Sequence, residues 1–200
     1  DTLFLQTRES EDLKHFVTVY MVYKKHGRHA KMVDALQRAI HLDKGDFRLW
    51  SELFYAYYDS DDFKSLLTAT KESKKYFFAQ PLIFFMEGVA NSALGMREEA
   101  IGAWTMAIST ASEHKPTIFI QALTALLDIY EDAAQKDKAI ALLDAKMELN
   151  QISSSEIAEA VGGGYERFGE EDRARKWFLR AMELGGDATR LQNRIKELKG

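Results

Sequence analysis

The sequence predicts an all-α fold made of stacked helix hairpins, and both its composition and an internal repeat support this prediction. Among 200 residues there are only two prolines and twelve glycines, too few for the closely spaced turns of an all-β protein. Hydrophobic residues make up 46% and charged residues 29%, the balance of an ordinary well-packed protein. Aromatic, small and alanine positions recur every 34 residues, and this period indicates an array of helix pairs.

The repeat is clearest in the first half of the chain, where three segments follow one another without a gap. Phe16, Trp50 and Phe84 open the three series. The other aligned positions are Tyr20, Phe54 and Gly88; Tyr23 and Tyr57; Gly27, Asp61 and Gly95; Met32, Leu66 and Ala100; Leu36, Thr70 and Trp104; and Ala39, Ser73 and Ala107. After residues 112–116 the pattern resumes in two further segments, which contain Tyr130 and Tyr165. The chain therefore carries about five repeats.

These positions resemble those of the tetratricopeptide-repeat family from about Leu13 to Gly186. The resemblance implies a right-handed α-solenoid of about five hairpins with a C-terminal capping helix. It also implies that the first helix of each repeat lines a concave groove, which holds an extended peptide or a helix. Repeats two and four depart from the pattern, so their packing is expected to be less regular. The departures are Leu66, Thr70, Ser73 and Lys146; the expected repeats are 13–46, 47–80, 81–114, 120–153 and 155–186, within an array at 10–186.

Local signals place the helices in order along this array. Ser10 precedes Glu11 and Asp12 and has the form of an N-cap, so the first helix is predicted to begin at residue 11 after a tail at 1–9. Pro81 and Pro116 are typical of helix starts. The predicted helices are 11–25, 28–42, 46–59, 62–78, 81–94, 97–111, 117–132, 136–149, 154–168, 171–184 and 188–198.

The last of these helices, within residues 187–200, is predicted to cap the array. Asp187 is in position to cap its start, and Leu191, Ile195 and Leu198 form one apolar stripe. A final helix of this kind covers the hydrophobic face that the last hairpin would otherwise expose.

Side chains predicted to face the groove are apolar and aromatic in the first three repeats and acidic in the last two. Large side chains of this kind act as binding anchors, and carboxylates attract basic residues. The predicted partner is therefore a protein or peptide with apolar anchors and some basic residues. For each aromatic residue the alternative is packing against the next hairpin. The predicted groove residues are Val17, Met21, Lys24, Arg48, Tyr55, Tyr58, Phe85, Met86, Val89, Asp128 and Glu131, with Gln121, Thr124, Glu159, Glu166 and Arg167 beside them.

Charge and composition limit the other classes of partner. A net charge of −4 offers no basic surface for nucleic acid and no basic amphipathic helix for a membrane surface. The apolar runs are shorter than the ~18 residues of a membrane helix, so no direct membrane insertion is expected. The chain has no cysteine, which excludes disulfides and thiolate metal sites.

No sequence pattern predicts catalysis, a metal site or a cofactor. His26 and His29 flank a turn, with no third ligand close in sequence. Asp59, Asp61 and Asp62 lack the glycine and the closing glutamate of a calcium loop, so helix capping and solvation explain them better. Since no carboxylate stands beside a candidate nucleophile, the chain is not expected to be an enzyme.

Three consecutive glycines, Gly162–Gly164, lie inside a predicted helix, where they would cost about 2–3 kcal/mol relative to alanine. One glycine is explained by close packing between hairpins. For the other two, a kink or the approach of a partner backbone competes with a tolerated weakness of the helix.

Two roles stay open at this point. The first is a protein-interaction scaffold within a larger assembly. The second is a structural, self-associating component of a bacterial cell-envelope complex, which exposed Leu3, Phe4 and Leu5 would favour. The run Phe77–Pro81 resembles repeat proteins of bacterial cell envelopes, which favours periplasm or envelope over cytoplasm.

Overall fold

The computed structural model describes the backbone of residues 2–111, 116–132, 134–146 and 152–198, and all regular structure in these ranges is α-helical. Side chains are described in the same ranges from residue 12 onward, except at residue 146. The helices are α1 Thr2–Lys25, α2 His29–Leu42, α3 Phe47–Asp59, α4 Phe63–Ser73, α5 Pro81–Ala93, α6 Arg97–Thr110, α7 Thr117–Asp132, α8 Lys136–Lys146, α9 Ser155–Arg167, α10 Glu171–Glu183 and α11 Ala188–Glu197.

The chain divides into two compact units, an N-terminal unit at Asp1–Ala103 and a C-terminal unit at Trp104–Gly200, and α6 runs across the boundary. In the N-terminal unit α1 packs on α2, α2 on α3, α3 on α4 and α4 on α5. In the C-terminal unit α7 packs on α8 and α9, α9 packs on α8 and α10, and α10 packs on α11. Neighbours in sequence are thus neighbours in space within each unit.

The turns that follow α1, α3, α5, α7 and α9 share one backbone geometry. Each contains a residue with positive φ, such as Gly27 at 65° or Asp61 at 56°. In each, an N–H just before the next helix donates to the carbonyl five residues earlier, as Arg28 does to Tyr23 at 2.9 Å. This pair of features is the usual way to end a helix. The full set of positive-φ residues in these turns is Gly27, Asp61, Gly95, Ala134 and Gly169.

Side-chain caps begin several of the helices at the predicted places. Asp187 accepts a hydrogen bond from the Arg190 N–H at 3.0 Å and so caps α11 as predicted. Asp62 accepts one from the Ser65 N–H at 3.2 Å, which confirms capping as its role.

The predicted start of the first helix is wrong, because α1 begins at Thr2. Ser10 lies inside this helix and is not its N-cap, and the residues assigned to a tail belong to α1 from Thr2 onward. The physical reason is that residues 2–9 contain neither proline nor glycine, so nothing interrupts the helix there.

The predicted end of α4 is also wrong, since the helix stops at Ser73 and not at residue 78. The Tyr76 ring stacks on Trp50 with centroids 6.2 Å apart, and the Phe77 ring meets the edge of Phe47 at 5.1 Å. These contacts with α3 bury aromatic surface that a continuing helix would carry away from the core. The predicted end of α8 at residue 149 lies outside the described residues.

The core of the N-terminal unit is built from the recurring positions. Leu36, Trp50, Phe54 and Leu66 are buried there. Thr70 and Ser73, polar in place of apolar residues, are fully buried too. Thr70 Oγ1 donates to the Leu67 carbonyl and Ser73 Oγ to the Thr70 carbonyl, both at 2.9 Å. Because their own helix satisfies these hydroxyls, the departures from the repeat pattern are accommodated without an unpaired group.

Helix α9 in the C-terminal unit continues unbroken through its three glycines. A Cβ on Gly162 would lie 2.6 Å from the Phe178 ring, and one on Gly164 would lie 3.0 Å from Leu127 Cδ1. Close packing therefore explains two glycines, one more than expected. A Cβ on Gly163 would meet only the Arg194 guanidinium, at 3.4 Å.

Candidate partner-binding surface

Several large hydrophobic side chains of the N-terminal unit are exposed on the first helices of predicted repeats, among them one methionine and two tyrosines. Met21 on α1 is 58% exposed, and Tyr55 and Tyr58 on α3 are 48% and 46% exposed. Met21 lies three residues before Lys24 on α1, and Tyr55 lies three residues after Glu52 on α3, so each pair shares a helix face. We call the surface formed by Met21, Lys24, Glu52, Tyr55 and Tyr58 the α1–α3 face.

An ion pair joins the two helices of this face. Lys24 Nζ lies 2.5 Å from Glu52 Oε2, and this hydrogen bond raises the pKa of the Lys24 ammonium group. Both side chains are partly exposed, so the pair contributes little to stability. Its consequence is local, since the two charges neutralise each other between the exposed apolar residues.

A cavity of about 210 Å³ opens beside the ion pair, between α1, α2 and α3. Tyr23, Met32 and Ala56 supply apolar lining, and Tyr55 stands at its side. His29 also lines it, with a buried Nε2 that has no hydrogen-bond partner among the described residues.

Four other predicted groove residues of the N-terminal unit are less available. Val17 and Phe85 are partly buried and pack against the core, and Val89 is also partly buried. Met86 is only 3% exposed, so its assignment to the groove surface is wrong. It is buried because, with Ile83 and Ala90 of the same helix, it belongs to the hydrophobic core of the N-terminal unit.

Arg48 is exposed but already bound within its own turn. Its Nη2 lies 2.8 Å from Asp46 Oδ2, and this hydrogen bond lowers the pKa of the Asp46 carboxyl. Arg48 therefore takes part in the capping of α3, where Asp46 also accepts from the Arg48 N–H at 2.9 Å.

The acidic positions of the C-terminal unit are paired with arginines. Asp128 Oδ1 lies 2.6 Å from Arg167 Nη1, and Glu131 also bonds the same guanidinium. The Glu131 hydrogen bond is the main cause of the raised pKa of Arg167. Both carboxylates are exposed as predicted, yet a basic partner would have to displace Arg167.

Two carboxylates of α9, Glu159 and Glu166, pair with arginines of α11, which sequence reasoning missed. Arg190 Nη2 lies 2.6 Å from Glu159, and Arg194 bonds Glu166. The Arg194 guanidinium also lies over the Phe178 ring, 4.4 Å from its centroid. The charge distribution of the sequence could have indicated this pairing. Residues 120–172 hold twelve acidic and four basic side chains, whereas residues 173–200 hold three acidic and eight basic side chains.

In the described part of the chain, no group of three or more His, Asp or Glu side chains could hold a metal ion. None of the described helices is both long and apolar enough to span a bilayer.

Comparison with known proteins identifies the fold. No protein-family model matches the sequence, and no curated protein matches it significantly. Solved structures do match. A crystal structure of the MamA protein has a TM-score of 0.59 at 19% identity and covers 88% of this chain and 92% of its own. The C-terminal part of a TPR repeat-containing protein from Cytophaga hutchinsonii has a TM-score of 0.61 at 11% identity, over 93% of this chain and 69% of its own.

A third structure, YrrB, is described as a TPR protein with an unusual peptide-binding site. It has a TM-score of 0.50 at 11% identity and covers 98% of both chains. The chain has the tetratricopeptide-repeat fold. The resemblance drawn from the 34-residue repeat and the all-α solenoid class are thereby confirmed. In a tetratricopeptide-repeat fold, α1 and α3 are the first helices of successive hairpins. The α1–α3 face is therefore formed by first helices.

Proposed function

We propose that this chain is a protein-interaction scaffold whose α1–α3 face binds a peptide or a helix of a partner protein. The observation that carries the proposal is the joint exposure of Met21, Tyr55 and Tyr58 on this face. Tyrosine and methionine are enriched where proteins bind each other. The tetratricopeptide-repeat fold supports a binding role rather than catalysis, and YrrB provides one relative in fold with a peptide-binding site.

The partner that suits this face has an apolar anchor and a polar or basic group beside it. The 210 Å³ cavity next to Tyr55 accepts the anchor against Tyr23, Met32 and Ala56. Asp59 lines the same cavity and has no ion-pair partner among the described residues, so it is available to a Lys or Arg of the partner. The partner thus keeps the chemistry inferred from the sequence, with binding centred on the N-terminal unit.

The test is a quantitative affinity capture with the full chain as bait. The variant Tyr55→Ala/Tyr58→Ala removes two anchors from the α1–α3 face, and Leu179→Ala is the matched control, because Leu179 on α10 is 47% exposed. We expect at least one captured protein to be lost with the double variant and retained with the control, with circular dichroism unchanged in both. Capture of the same proteins by all three baits would refute the proposal. Recovery of the bait's own copies alone would favour the self-associating structural role.

A further inference from the structure

A second and larger cavity, of about 470 Å³, opens on the other side of α3. Trp50, Leu53 and Tyr57 line it, whereas Glu52 and Tyr55 of the same helix belong to the α1–α3 face. Residues two apart on a helix point about 200° from each other, so the two surfaces lie on opposite sides of α3. We call this opening, with walls from α2 and α4, the outer cavity.

The floor of the outer cavity is aromatic and apolar. Trp50, Leu53 and Tyr57 are joined there by Ile40 of α2. The α4 wall is made of short side chains, Ser65, Thr68 and Ala69, and the floor side chains beside it expose only small edges, 2% of Trp50 and 7% of Tyr57. The volume lies in the range of ordinary ligand sites, which are mostly apolar clefts with a few placed polar groups.

The polar atoms of the floor are already satisfied within the protein. Gln37 Nε2 donates to Tyr57 Oη at 2.7 Å, and Trp50 Nε1 donates to the Lys44 carbonyl at 3.0 Å. Burial raises the pKa of the Tyr57 hydroxyl, which therefore stays neutral at physiological pH. The floor thus presents apolar ring edges to a ligand and no unmet hydrogen bond.

The charged side chains at the rim determine which ligand charge is favoured. Lys44, His41 and Lys64 border the opening, against one carboxylate, Glu72. Lys64 has no ion pair among the described residues, and the Lys44 ammonium lies 5.9 Å from the Tyr76 ring centroid. Two lysines facing one carboxylate favour an anionic ligand by charge complementarity.

We infer that the outer cavity binds an acidic peptide segment, which inserts one apolar or aromatic side chain over Trp50 and Tyr57 while its carboxylates meet Lys44 and Lys64. This site is distinct from the α1–α3 face, which lies on the opposite side of α3 and is proposed to take a partner with basic residues. One scaffold then holds two segments of opposite charge.

The test is fluorescence anisotropy of the full chain with two labelled peptides, acetyl-Asp-Glu-Leu-Phe-Glu-Asp and acetyl-Lys-Arg-Leu-Phe-Arg-Lys. We expect the acidic peptide to bind saturably, and to bind the Tyr55→Ala/Tyr58→Ala variant more tightly than the basic peptide does. Thr68→Trp places a large side chain at the opening and should abolish acidic-peptide binding. Lys64→Glu should weaken it by about tenfold or more. Lys71→Glu is the matched control, because Lys71 is exposed on the same helix outside the cavity and its charge change is identical.

Four results would overturn the inference. Equal binding of both peptides by Tyr55→Ala/Tyr58→Ala, in which the α1–α3 face has lost its anchors, would show that the cavity does not select an acidic ligand. Equal weakening by Lys64→Glu and Lys71→Glu would show attraction to the overall charge alone. Absence of acidic-peptide binding would remove the site. A dimer of the unmodified chain that Thr68→Trp dissociates, without peptide binding, would assign the cavity to a second copy. Tyr55→Ala/Tyr58→Ala should leave acidic-peptide binding unchanged, so the two proposals fail independently.

Discussion

Replacing the glycines of α9 one at a time separates close packing from simple weakness of the helix. A methyl group on Gly162 would place its carbon 2.6 Å from Cδ1 and Cε1 of Phe178, a ring that is fully buried. The ring has to move within a packed core, and overpacking of this kind costs about 1–3 kcal/mol. Alanine recovers about 0.8–1 kcal/mol of helix propensity. Gly162→Ala should therefore lower the free energy of unfolding by up to about 2 kcal/mol.

Gly163→Ala should act in the opposite direction. Its methyl group would touch only the Arg194 guanidinium, at 3.4 Å, which is an ordinary contact with the end of a flexible side chain. The gain in helix propensity, about 0.8–1 kcal/mol, is common to both variants. The difference between them, about 1–3 kcal/mol, therefore measures the overpacking against Phe178.

The assay is urea unfolding followed by circular dichroism, with Gly102→Ala as the reference. Gly102 is exposed on α6, and a Cβ there would have no atom within 4 Å, so this variant reports helix propensity alone. We expect Gly102→Ala and Gly163→Ala to unfold at higher urea than the wild type, and Gly162→Ala at lower urea. Equal stability of Gly162→Ala and Gly163→Ala would refute the packing explanation of the glycines.

Three further predictions concern stability. Burial and a hydrogen bond to Asp144 raise the pKa of the Tyr165 hydroxyl. The stability that this shift contributes is complete below the unfolded-state pKa of about 10 and is lost at higher pH. Urea midpoints should therefore fall above that pH, and should fall less in Tyr165→Phe. Arg194→Ala removes the contact with the Phe178 ring and the Glu166 ion pair, and should cost about 1–2 kcal/mol; faster hydrogen exchange of α11 checks this, whereas unchanged exchange would contradict it. Gly27→Ala forces alanine to φ 65° and should cost about 1 kcal/mol, a loss that thermal melting would detect.

Most of the fold could be predicted because its signals are local. The proline at the start of α5 and the aspartate before α11 each act within a few residues of where they stand, and these two helices begin where predicted. The 34-residue spacing repeats such local signals along the chain. The start of α1 and the end of α4 could not be predicted from such local signals. The first depended on the absence of a breaking residue, and the second on the contacts that Tyr76 and Phe77 make with α3.

The candidate site was predicted only in part. Helical spacing correctly placed Met21, Tyr55 and Tyr58 at the surface, but the same reasoning placed Met86 there, which is buried. Spacing tells which residues share a side of a helix. It does not tell which side a neighbouring helix covers, because that depends on residues distant in sequence.

The sequence by itself determined that this protein is an all-α array of tetratricopeptide type, because period, turns and caps are properties of short segments. Only the tertiary structure decided which carboxylates are free and which are paired, as with Glu159 and the Arg190 of α11. It alone revealed the outer cavity, whose floor and walls come from three helices. Binding surfaces depend on where side chains from separate helices meet, and that is fixed by packing.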